Sequence, residues 1–491
     1  MMRVSPLVRL LSTSTLFSLA MCLSALAPTS ASAQCTPDWD PSLGVPGAVG
    51  TVRSLATFQG QLYAGGEFTS IGGVPISTGL ARFDGSTWSE VGTGVLDGGT
   101  VNAMVVGDLG AGPRLYLGGN FFGLGTSFIA LVAEFDGTSF QSMNGGCEGF
   151  SVSDLAVFDP GTGPRVYACG DFTTAGGEFA EGVAGFDGTN WFPIGNGNVN
   201  GAILSLHTHQ FFGEPGPSLY LGGLFSSISN MGGNNIARYD GTTISPLDLG
   251  VDGVVRAIET HFEALWVGGD FANAGTVFSP LLVRWDGFLW NNPLVMTTPP
   301  SGSVRALEDT VVDGIPRLAI GGSFTGFGTA SSTNIAFFEF GLYVNAGTGT
   351  DLPVLALHDV PNAGGAVAGG LYAGGEFTMA GGAPATRIAR YETCPPFAAI
   401  TFRRGDANGD GGLNIADAVA TLGILFGGAP PAPCEETLDI NDDGSTNIAD
   451  AIFLLGALFV PGQPQPPEPV SACGPDTDGD AIPCDLPALG C

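Results

Sequence analysis

Two acidic segments near the C-terminus have the composition and spacing of calcium-binding loops. In the first, oxygen-bearing side chains occupy positions 1, 3, 5, 9 and 12 of a twelve-residue loop: Asp406, Asn408, Asp410, Asn414 and Asp417. Gly411 stands at position 6, where such a loop turns sharply, and Gly412 at position 7 offers its backbone carbonyl. Ca²⁺ takes six to eight oxygen ligands in flexible geometry. The segment therefore predicts one calcium site.

The same pattern returns 33 residues further along the chain. Its oxygen-bearing side chains are Asp439, Asn441, Asp443, Asn447 and Asp450, with Gly444 at the turn, and Ser445 at position 7 offers its backbone carbonyl. Each loop supplies three aspartates, which offset the charge of a divalent cation. We expect two calcium ions, both structural.

Each loop runs into a segment with helical apolar periodicity. The apolar positions follow i, i+4, i+7 and i+10 in both copies: Ile415, Val419, Leu422 and Leu425, then Ile448, Ile452, Leu455 and Leu458. This spacing places them on one helical face. We expect two helices that pack together through these faces.

The duplicated loop-plus-helix unit, with Asp at position 12 and no entering helix, resembles a type I dockerin. Dockerins bind cohesin domains and attach extracellular proteins, often polysaccharide-degrading enzymes, to scaffolds. The resemblance implies partner contacts at Ile415, Ala416, Ile448 and Ala449. Familiar cellulosomal members carry hydroxyl residues there. The identity of the two pairs permits a two-fold symmetric binding surface.

Upstream, one short phrase recurs seven times. It consists of an apolar strand with a central aromatic or small residue, two small residues, a mostly polar residue and Phe, at residues 62–68, 115–121, 166–172, 219–225, 265–271, 318–324 and 371–377. Successive copies are 53, 51, 53, 46, 53 and 53 residues apart. A strand-rich period of this size predicts a β-propeller with one blade per repeat. We interpret the paired glycines as sites of close backbone approach.

The repeat unit predicts four strands, labelled a to d from the first to the last. Asp-Gly pairs separate strands c and d in five repeats, at Asp84, Asp136, Asp187, Asp240 and Asp286. They predict two-residue hairpins with positive φ at both central positions. The repeat resembles propellers of the fungal cortical cell-polarity marker family and, more loosely, kelch and galactose-oxidase propellers. That resemblance covers residues 35 to about 396 and implies the fold. The copper chemistry of galactose oxidases is not implied, because its ligand set has no match.

The seventh repeat lacks a fourth strand, and the N-terminal segment can supply it. Asp38-Trp39 is similar to a strand d such as Thr87-Trp88. Closing the ring in this way would bring Cys35 beside Cys394, and we predict a disulfide between them. A local pair between Cys147 and Cys169 is a further expectation.

Four consecutive repeats carry titratable residues at one equivalent position of strand a: His207, Glu259, Glu308 and His358. If strand a lines the central channel, two imidazoles and two carboxylates could converge there. Such a set could bind a divalent metal or orient a polar ligand. The alternative is a wet channel lined with ordinary polar groups.

Composition and charge limit the class of protein. The net charge is −31 and the sequence has no lysine, which disfavours nucleic acid and anionic membranes as partners. Arg3, Arg9, an apolar run over 16–26 and a small-residue site before Gln34 predict a signal peptide over 1–33. The mature chain keeps eight cysteines, as expected for an exported protein.

We therefore expect a mainly β protein: a seven-bladed propeller over 34–396, closed by the N-terminal strand, and a small α-helical calcium-binding domain over 403–462. A Pro-rich linker and a Cys-rich tail follow over 463–491; the tail holds Cys473, Cys484 and Cys491, which with Cys434 allow three connectivities.

The functional prediction is a secreted or cell-surface binding protein with a cohesin-like extracellular partner and no membrane insertion. The alternative is a dockerin-tethered enzyme of polysaccharide catabolism, a glycoside-acting hydrolase, although no catalytic motif is present. A third reading is a structural protein whose terminal module packs within its own chain.

Overall fold

The computed structural model describes residues 38–470 except 41, 78, 93–98, 125–126, 129, 294–299, 313, 362–364, 393–401, 428–431, 433 and 435–436. Seven antiparallel sheets follow one another along this part of the chain, each built on four strands in the order a-b-c-d. The protein is mainly β and forms a seven-bladed propeller, as the repeats predicted.

The strands recur with similar bounds in every blade. Strands a are Val49–Phe58, Thr100–Gly107, Cys147–Phe158, Val199–His209, Val254–His261, Gly302–Val312 and Val354–Val360. Strands b are Gln61–Ile71, Arg114–Asn120, Arg165–Ala175, Ser218–Ile228, Ala264–Asp270, Ile315–Phe324 and Gly370–Gly375. Strands c are Leu80–Phe83, Val132–Phe135, Val183–Phe186, Ile236–Tyr239, Leu282–Trp285, Ile335–Glu339 and Ile388–Glu392. Strands d are Trp88–Glu90, Phe140–Ser142, Trp191–Pro193, Ile244–Pro246, Trp290–Asn291, Leu342–Asn345 and, for blade 7, Asp38–Asp40.

Short extra strands and one 3-10 turn complete the propeller. The extra strands are Val74–Pro75, Gly123–Leu124, Ser127–Phe128, Glu178–Phe179, Met231–Gly232, Asn273–Ala274, Val277–Phe278, Met379–Ala380 and Ala383–Pro384, and the turn is Ser42–Gly44. The extra strands all lie between strands b and c of their blades.

The first small residue of each repeat lies where one blade packs against the next. A Cβ added to Gly65 would lie 2.7 Å from Cγ1 of Val101, in strand a of blade 2. The ring closes through the same contact, because a Cβ on Gly374 of blade 7 would lie 2.5 Å from Cγ1 of Val52 in blade 1. Four more pairs repeat it: Gly118 with Val152, Gly222 with Val255, Gly268 with Val304 and Gly321 with Val354. Close approach is thus found at these glycines, but the atoms they meet are valine side chains and not the predicted backbone.

The second glycine of each pair accommodates an irregularity in strand a. A Cβ on Gly66 would lie 2.1 Å from the backbone oxygen of Thr51, and the equivalent distance is between 2.0 and 2.3 Å in all seven blades. Just beyond this point the register of strands a and b shifts by one residue, which is a β-bulge. The bulges fall at Arg53, Asn102, Ser153, Leu204, Arg256, Arg305 and Leu355. We call these seven the bulge residues.

The Asp-Gly turns differ from the predicted two-residue hairpins. Phe83 pairs with Trp88, so four residues connect strands c and d of blade 1. Gly85 has φ +98°, whereas Asp84 is not among the residues of positive φ. The Asp84 carboxylate instead accepts the backbone N–H groups of residues 86 and 87, both at 2.8 Å. The prediction of two positive-φ residues was wrong because the aspartate side chain organises the turn.

The N-terminal strand closes the ring as predicted. Asp38–Asp40 pairs antiparallel with strand c of blade 7, with Trp39 opposite Tyr391. The Trp39 indole N–H donates to the backbone oxygen of Ala346 at 2.9 Å, and its ring meets Tyr391 edge-on at 5.3 Å between centroids. Cys35 and Cys394 lie outside the described residues, so their disulfide stays a prediction.

The expected local disulfide between Cys147 and Cys169 is not formed. Both thiols are free and buried. Cys147 lies opposite Ala175 while Cys169 lies opposite Asp154. Six residues of extended chain, about 20 Å at the usual rise per residue, therefore separate the two positions along strand b, far beyond the reach of a disulfide.

Two helices follow the propeller, α1 (Ile415–Phe426) and α2 (Ile448–Phe459). Their contact is built on Ala418 and Leu454 together with Ile440. The predicted packing face was wrong in part: Ile415 and Ile448 are 55% and 51% exposed. The buried uncharged side chains of the two helices are Ala418, Thr421, Ala451 and Leu454. The bulkier side chains at i and i+4, such as Ile415 and Val419, lie outside the contact. No described helix is both long and apolar enough to span a membrane.

Replacing Trp39 should weaken the closure of the ring. We expect Trp39→Ala to lower the free energy of unfolding by ~3–5 kcal/mol, because a buried aromatic ring and a buried hydrogen bond are lost together. Urea unfolding measures the change. Phe288→Ala is the control, since Phe288 is 84% exposed. Equal stability of the two variants would contradict closure by the N-terminal strand.

Candidate functional site

The first acidic loop holds its three carboxylates close together. Ligand oxygens of Asp406, Asp410 and Asp417 all lie within 4.8 Å of one another. Asp406 and Asp417 are buried, and Asp410 is exposed. Backbone N–H groups organise this cluster: Gly411 N donates to Asp406 Oδ2 at 2.9 Å, and Asn414 N donates to Asp417 Oδ2 at 2.8 Å. The loop thus presents several oxygens around one point.

The second loop repeats the backbone hydrogen bonds to the aspartates at positions 1 and 12, whereas Asp410 N donates to Asn408 Oδ1 at 2.9 Å in the first loop alone among the described contacts. Gly444 N donates to Asp439 Oδ2 at 2.8 Å, and Asn447 N donates to Asp450 Oδ2 at 2.8 Å. Asp443 N donates to Asp439 Oδ1 at 3.2 Å, matching 3.1 Å from Asp410 N to Asp406 Oδ1. Asp439 and Asp450 are fully buried. The sequence repeat is therefore a structural repeat.

One buried oxygen in the second loop has no protein partner. The side-chain oxygen of Asn441, at loop position 3, is buried and makes no hydrogen bond with the described residues. An unsatisfied buried carbonyl is costly and needs an explanation. A cation at this loop would supply one, because position 3 is a ligand position in calcium loops. The donor set, all oxygen, also fits Ca²⁺ rather than a softer metal.

Position 9 of each loop has a role that the sequence analysis missed. Asn414 and Asn447 are the N-cap residues of α1 and α2, and their side-chain oxygens accept the N–H of Ala416 and Ala449 at 2.8 and 2.9 Å. Both helices have a capping box completed by the position-12 aspartate. Since these oxygens serve the helices, an ion would be reached from position 9 through water, as is common in calcium loops.

Crowding of carboxylates changes their protonation. Burial raises the pKa of Asp417, and the negative charges of Asp406 and Asp410 raise it further. Burial likewise raises the pKa of Asp450, with the charge of Asp439 as a further cause. Each loop therefore resists carrying its full negative charge alone, which is the electrostatic condition that a bound cation relieves.

Two arginines just before the first loop connect it to the rest of the module. The fully buried Arg404 donates to the backbone oxygen of Asp439 at 2.8 Å and pairs with Asp442 at 2.6 Å. Arg403 Nε donates to the backbone oxygen of Val470 at 2.7 Å. The chain after α2, predicted as a linker, thus returns to the first loop. The sequence shows the two adjacent arginines but not the groups that they contact.

The four partner-contact candidates all lie on the surface. Ile415, Ala416, Ile448 and Ala449 are exposed at the starts of α1 and α2. Further exposed apolar side chains extend this surface at equivalent positions of the two helices: Val419 and Ile452, then Phe426 and Phe459. We call these eight residues the apolar helix surface. An exposed apolar patch of this kind is typical of a docking site.

The channel residues predicted to converge meet in two pairs. His207 Nε2 lies 3.8 Å from Glu259 Oε1, and His358 Nδ1 lies 3.8 Å from Glu308 Oε1. Each histidine has a closer partner in the next blade, since Nε2 of His207 and of His358 forms a 2.8 Å hydrogen bond with Thr260 and Thr57 respectively. These side chains therefore link strands a of neighbouring blades.

The carboxylates of the channel also bridge to backbone groups. Glu308 Oε1 accepts the N–H of Asp359 in the next blade at 2.9 Å. Within the described chain, the three loop aspartates are the group of ligand side chains that converges on one point. The four channel residues do not form such a group, and a metal or polar ligand among them stays a prediction.

Burial controls the protonation of the channel groups. It raises the pKa of Glu259 to about 8 and that of Glu308 well above its ordinary value, and the charge of each neighbouring carboxylate adds to the effect. Burial lowers the pKa of His207 and His358 to about 4. Near neutral pH the cluster is therefore held close to its uncharged form.

The glutamate pair should make stability depend on pH. Between the ordinary Glu pKa of 4.5 and the raised value of about 8, the folded state holds protons that the unfolded state has released, so stability falls as pH rises. Glu259→Gln/Glu308→Gln keeps the shape and should remove that fall. Below their ordinary pKa of 6.5, the histidines instead make stability rise with pH, because burial lowers their pKa in the folded state. The informative quantity is thus the difference between variant and wild type.

Urea unfolding at about pH 5, 6.5 and 8 with excess calcium measures that difference. Glu178→Gln, which removes an exposed carboxylate, is the control. If the free energy of unfolding changed with pH in the same way for the wild type and the double variant, protonation of the glutamate pair would be contradicted.

Comparisons with known proteins identify no family for the chain. No family model and no curated protein matches it. The extracellular domain of BT4673 from B. thetaiotaomicron is similar with a TM-score of 0.43 and 11% identity, over 76% of this chain and 42% of that one. This chain therefore spans less than half the length of that structure. BBS1N in complex with ARL6DN has a TM-score of 0.42 and 11% identity over 73% and 98% of the two chains. The computationally designed Ika8 protein is similar with a TM-score of 0.36 and 12% identity, over 70% of this chain and 98% of that one.

Proposed function

We propose that this chain is an extracellular attachment protein, in which the propeller recognises a ligand and residues 403–462 form a calcium-dependent docking module. The observation that carries the proposal is the duplicated acidic loop. Both copies hold their aspartates with the same backbone hydrogen bonds, and Asn441 keeps a buried oxygen without a protein partner. A chance acidic turn does not account for both features.

Calcium would have a structural role in this module. Asp406, Asn408, Asp410, the carbonyl of Gly412 and Asp417 would hold one ion, with Asn414 contributing through water. Asp439, Asn441, Asp443, Ser445 and Asp450 would hold the other, again with Asn447 through water. The ion would neutralise buried carboxylates that otherwise repel one another, and so would stabilise the fold that presents the helices.

The apolar helix surface is the proposed docking surface. Its exposed side chains occur as pairs 33 residues apart, at Ile415 and Ile448 and again at Phe426 and Phe459. Such equivalence supports a surface with two similar faces. The resemblance to dockerins favours a cohesin-like domain as the partner, with apolar contacts in place of hydroxyl contacts.

The propeller carries exposed aromatic side chains suited to recognition. Phe212, Phe262, Phe288 and Phe340 are 96%, 63%, 84% and 76% exposed. They lie in a–b or c–d connections of blades 4, 5 and 6, which share one face of a propeller. They support a recognition role for this face, with a polysaccharide as one class of ligand.

Removing calcium should unfold the module and leave the propeller folded. We expect calorimetry to give two bound ions per chain, and Asp406→Ala to reduce this to one, because Asp406 is a buried ligand of the first loop alone. Chelation should abolish the helical far-UV signal while the near-UV signal of the propeller tryptophans persists. Glu178→Gln should leave the stoichiometry unchanged. Binding of no calcium, or full helicity in chelator, would refute the calcium role.

Changing both faces of the apolar helix surface should abolish docking. With a panel of purified cohesin domains, we expect at least one calcium-dependent interaction. Ile415→Asp and Ile448→Asp alone should each leave one face intact, whereas the double variant should lose at least about tenfold in affinity, since charge replaces two apolar contacts. Phe340→Asp on the propeller is the matched control. Docking that survives the double variant or chelation would count against this surface.

A further inference from the structure

The bulge residues line one cavity at the mouth of the central channel. Among the described residues, a cavity of about 310 Å³ is lined by these seven alone: Arg53, Asn102, Ser153, Leu204, Arg256, Arg305 and Leu355. Each comes from the same position of a different blade. Since a β-bulge redirects the side chain of the extra residue, the seven bulges aim one side chain from every blade into this cavity.

The ring of bulge residues is positive on one side and polar on the other. Arg256, Arg305 and Arg53 come from blades 5, 6 and 1, with Leu355 of blade 7 between the last two. The opposite arc carries Asn102 and Ser153 from blades 2 and 3. The chain has 15 arginines and no lysine against 46 acidic residues, so three arginines in one cavity are a local reversal of its charge.

The three guanidinium groups differ in how far carboxylates already occupy them. Arg256 is held by Asp270, with N–O distances of 2.6 and 2.7 Å. Arg53 lies 3.7 Å from Glu67, an exposed and loose pair. Arg305 is exposed, and its charge helps to lower the pKa of Asp270, although no hydrogen bond or ion pair joins Arg305 to a described residue. The guanidinium N–H donors of Arg305 therefore face the cavity, beside the guanidinium groups of Arg53 and Arg256.

We propose that this channel mouth binds a sugar-sized molecule bearing a carboxylate, which Arg305 grips with its two parallel N–H donors. Guanidinium and carboxylate match in this bidentate geometry. Arg53 and Arg256 flank the anion. Ser153 and the side-chain oxygen of Asn102, whose amide nitrogen already donates to the backbone oxygen of Val152 at 3.0 Å, meet hydroxyl groups across the ring. The cavity volume suits one monosaccharide unit, either free or as the end of an acidic glycan.

This inference rests on the proposed recognition role of the propeller and names its ligand class. It uses the channel mouth where strands a begin, not the face of the a–b and c–d connections that carries the exposed phenylalanines. It does not depend on the calcium module. Its failure would leave calcium binding and docking untouched, and failure of docking would leave the channel mouth untouched.

Calorimetric titration of the full chain in calcium with D-galacturonate, D-galactose and tetragalacturonate tests the proposal. The first two sugars differ only at C6, which is a carboxylate in galacturonate and a hydroxymethyl group in galactose. Galacturonate should therefore bind at least about tenfold more tightly. Tighter binding of tetragalacturonate would indicate a glycan end, and equal binding would indicate a free sugar acid; either agrees with the proposal. Equal binding of galactose, or no binding of either acid, would overturn it.

Variants then assign the interaction to the bulge residues. Arg305→Gln should weaken galacturonate binding at least about tenfold, and Arg305→Lys should restore only part of it, because lysine keeps the charge and loses the fork. Arg165→Gln makes the same change of net charge, at a residue that packs on Phe192 instead, and should have no effect. Circular dichroism confirms that each variant is folded. Unchanged binding by Arg305→Gln would refute the site.

Discussion

In six of the seven contacts between neighbouring blades, a glycine in strand b of one blade meets a valine in strand a of the next. A single added carbon at Gly268 would lie 2.4 Å from Val304, and the same contact closes the ring between Gly374 and Val52. The second glycine of each pair leaves room for the carbonyl of a bulged inner strand. The bulge in turn aims one side chain per blade into the channel. Packing between blades and the chemistry of the channel mouth therefore depend on one pair of glycines.

The C-terminal module is stabilised by a different kind of interaction. Its apolar core is small, with Ala418, Ile440 and Leu454 as the buried members of the helix contact. Buried carboxylates of both loops lie beside this core, and their mutual repulsion opposes folding. Small domains commonly need a metal or a disulfide in addition to a core, and Cys434 here is buried and disulfide-bonded. In the proposed function, calcium would supply the positive charge that the loops lack, and docking would then depend on the ion.

The sequence was sufficient for features fixed by local repetition. Strand order, the glycine contacts and closure by Trp39 followed from seven copies of one phrase. Features set by three-dimensional packing were not accessible. The sequence marks the helical face that holds Ile415 as apolar, but it does not show which face packs against the second helix. The burial of Ala418 in the helix contact decides this. Arg53, Arg256 and Arg305 are isolated letters in the sequence, and the bulges that gather them are visible only as shifts of strand register.

The stability of Gly322→Ala tests the dependence on the glycine pair most directly. Its new Cβ would lie 2.0 Å from the backbone oxygen of Ser303, so we predict a loss of about 3 kcal/mol or more in the free energy of unfolding. Gly216→Ala is the comparison, because nothing lies within 4 Å of its Cβ; it should be neutral or slightly stabilising. Equal stability of the two variants in urea unfolding would contradict the account.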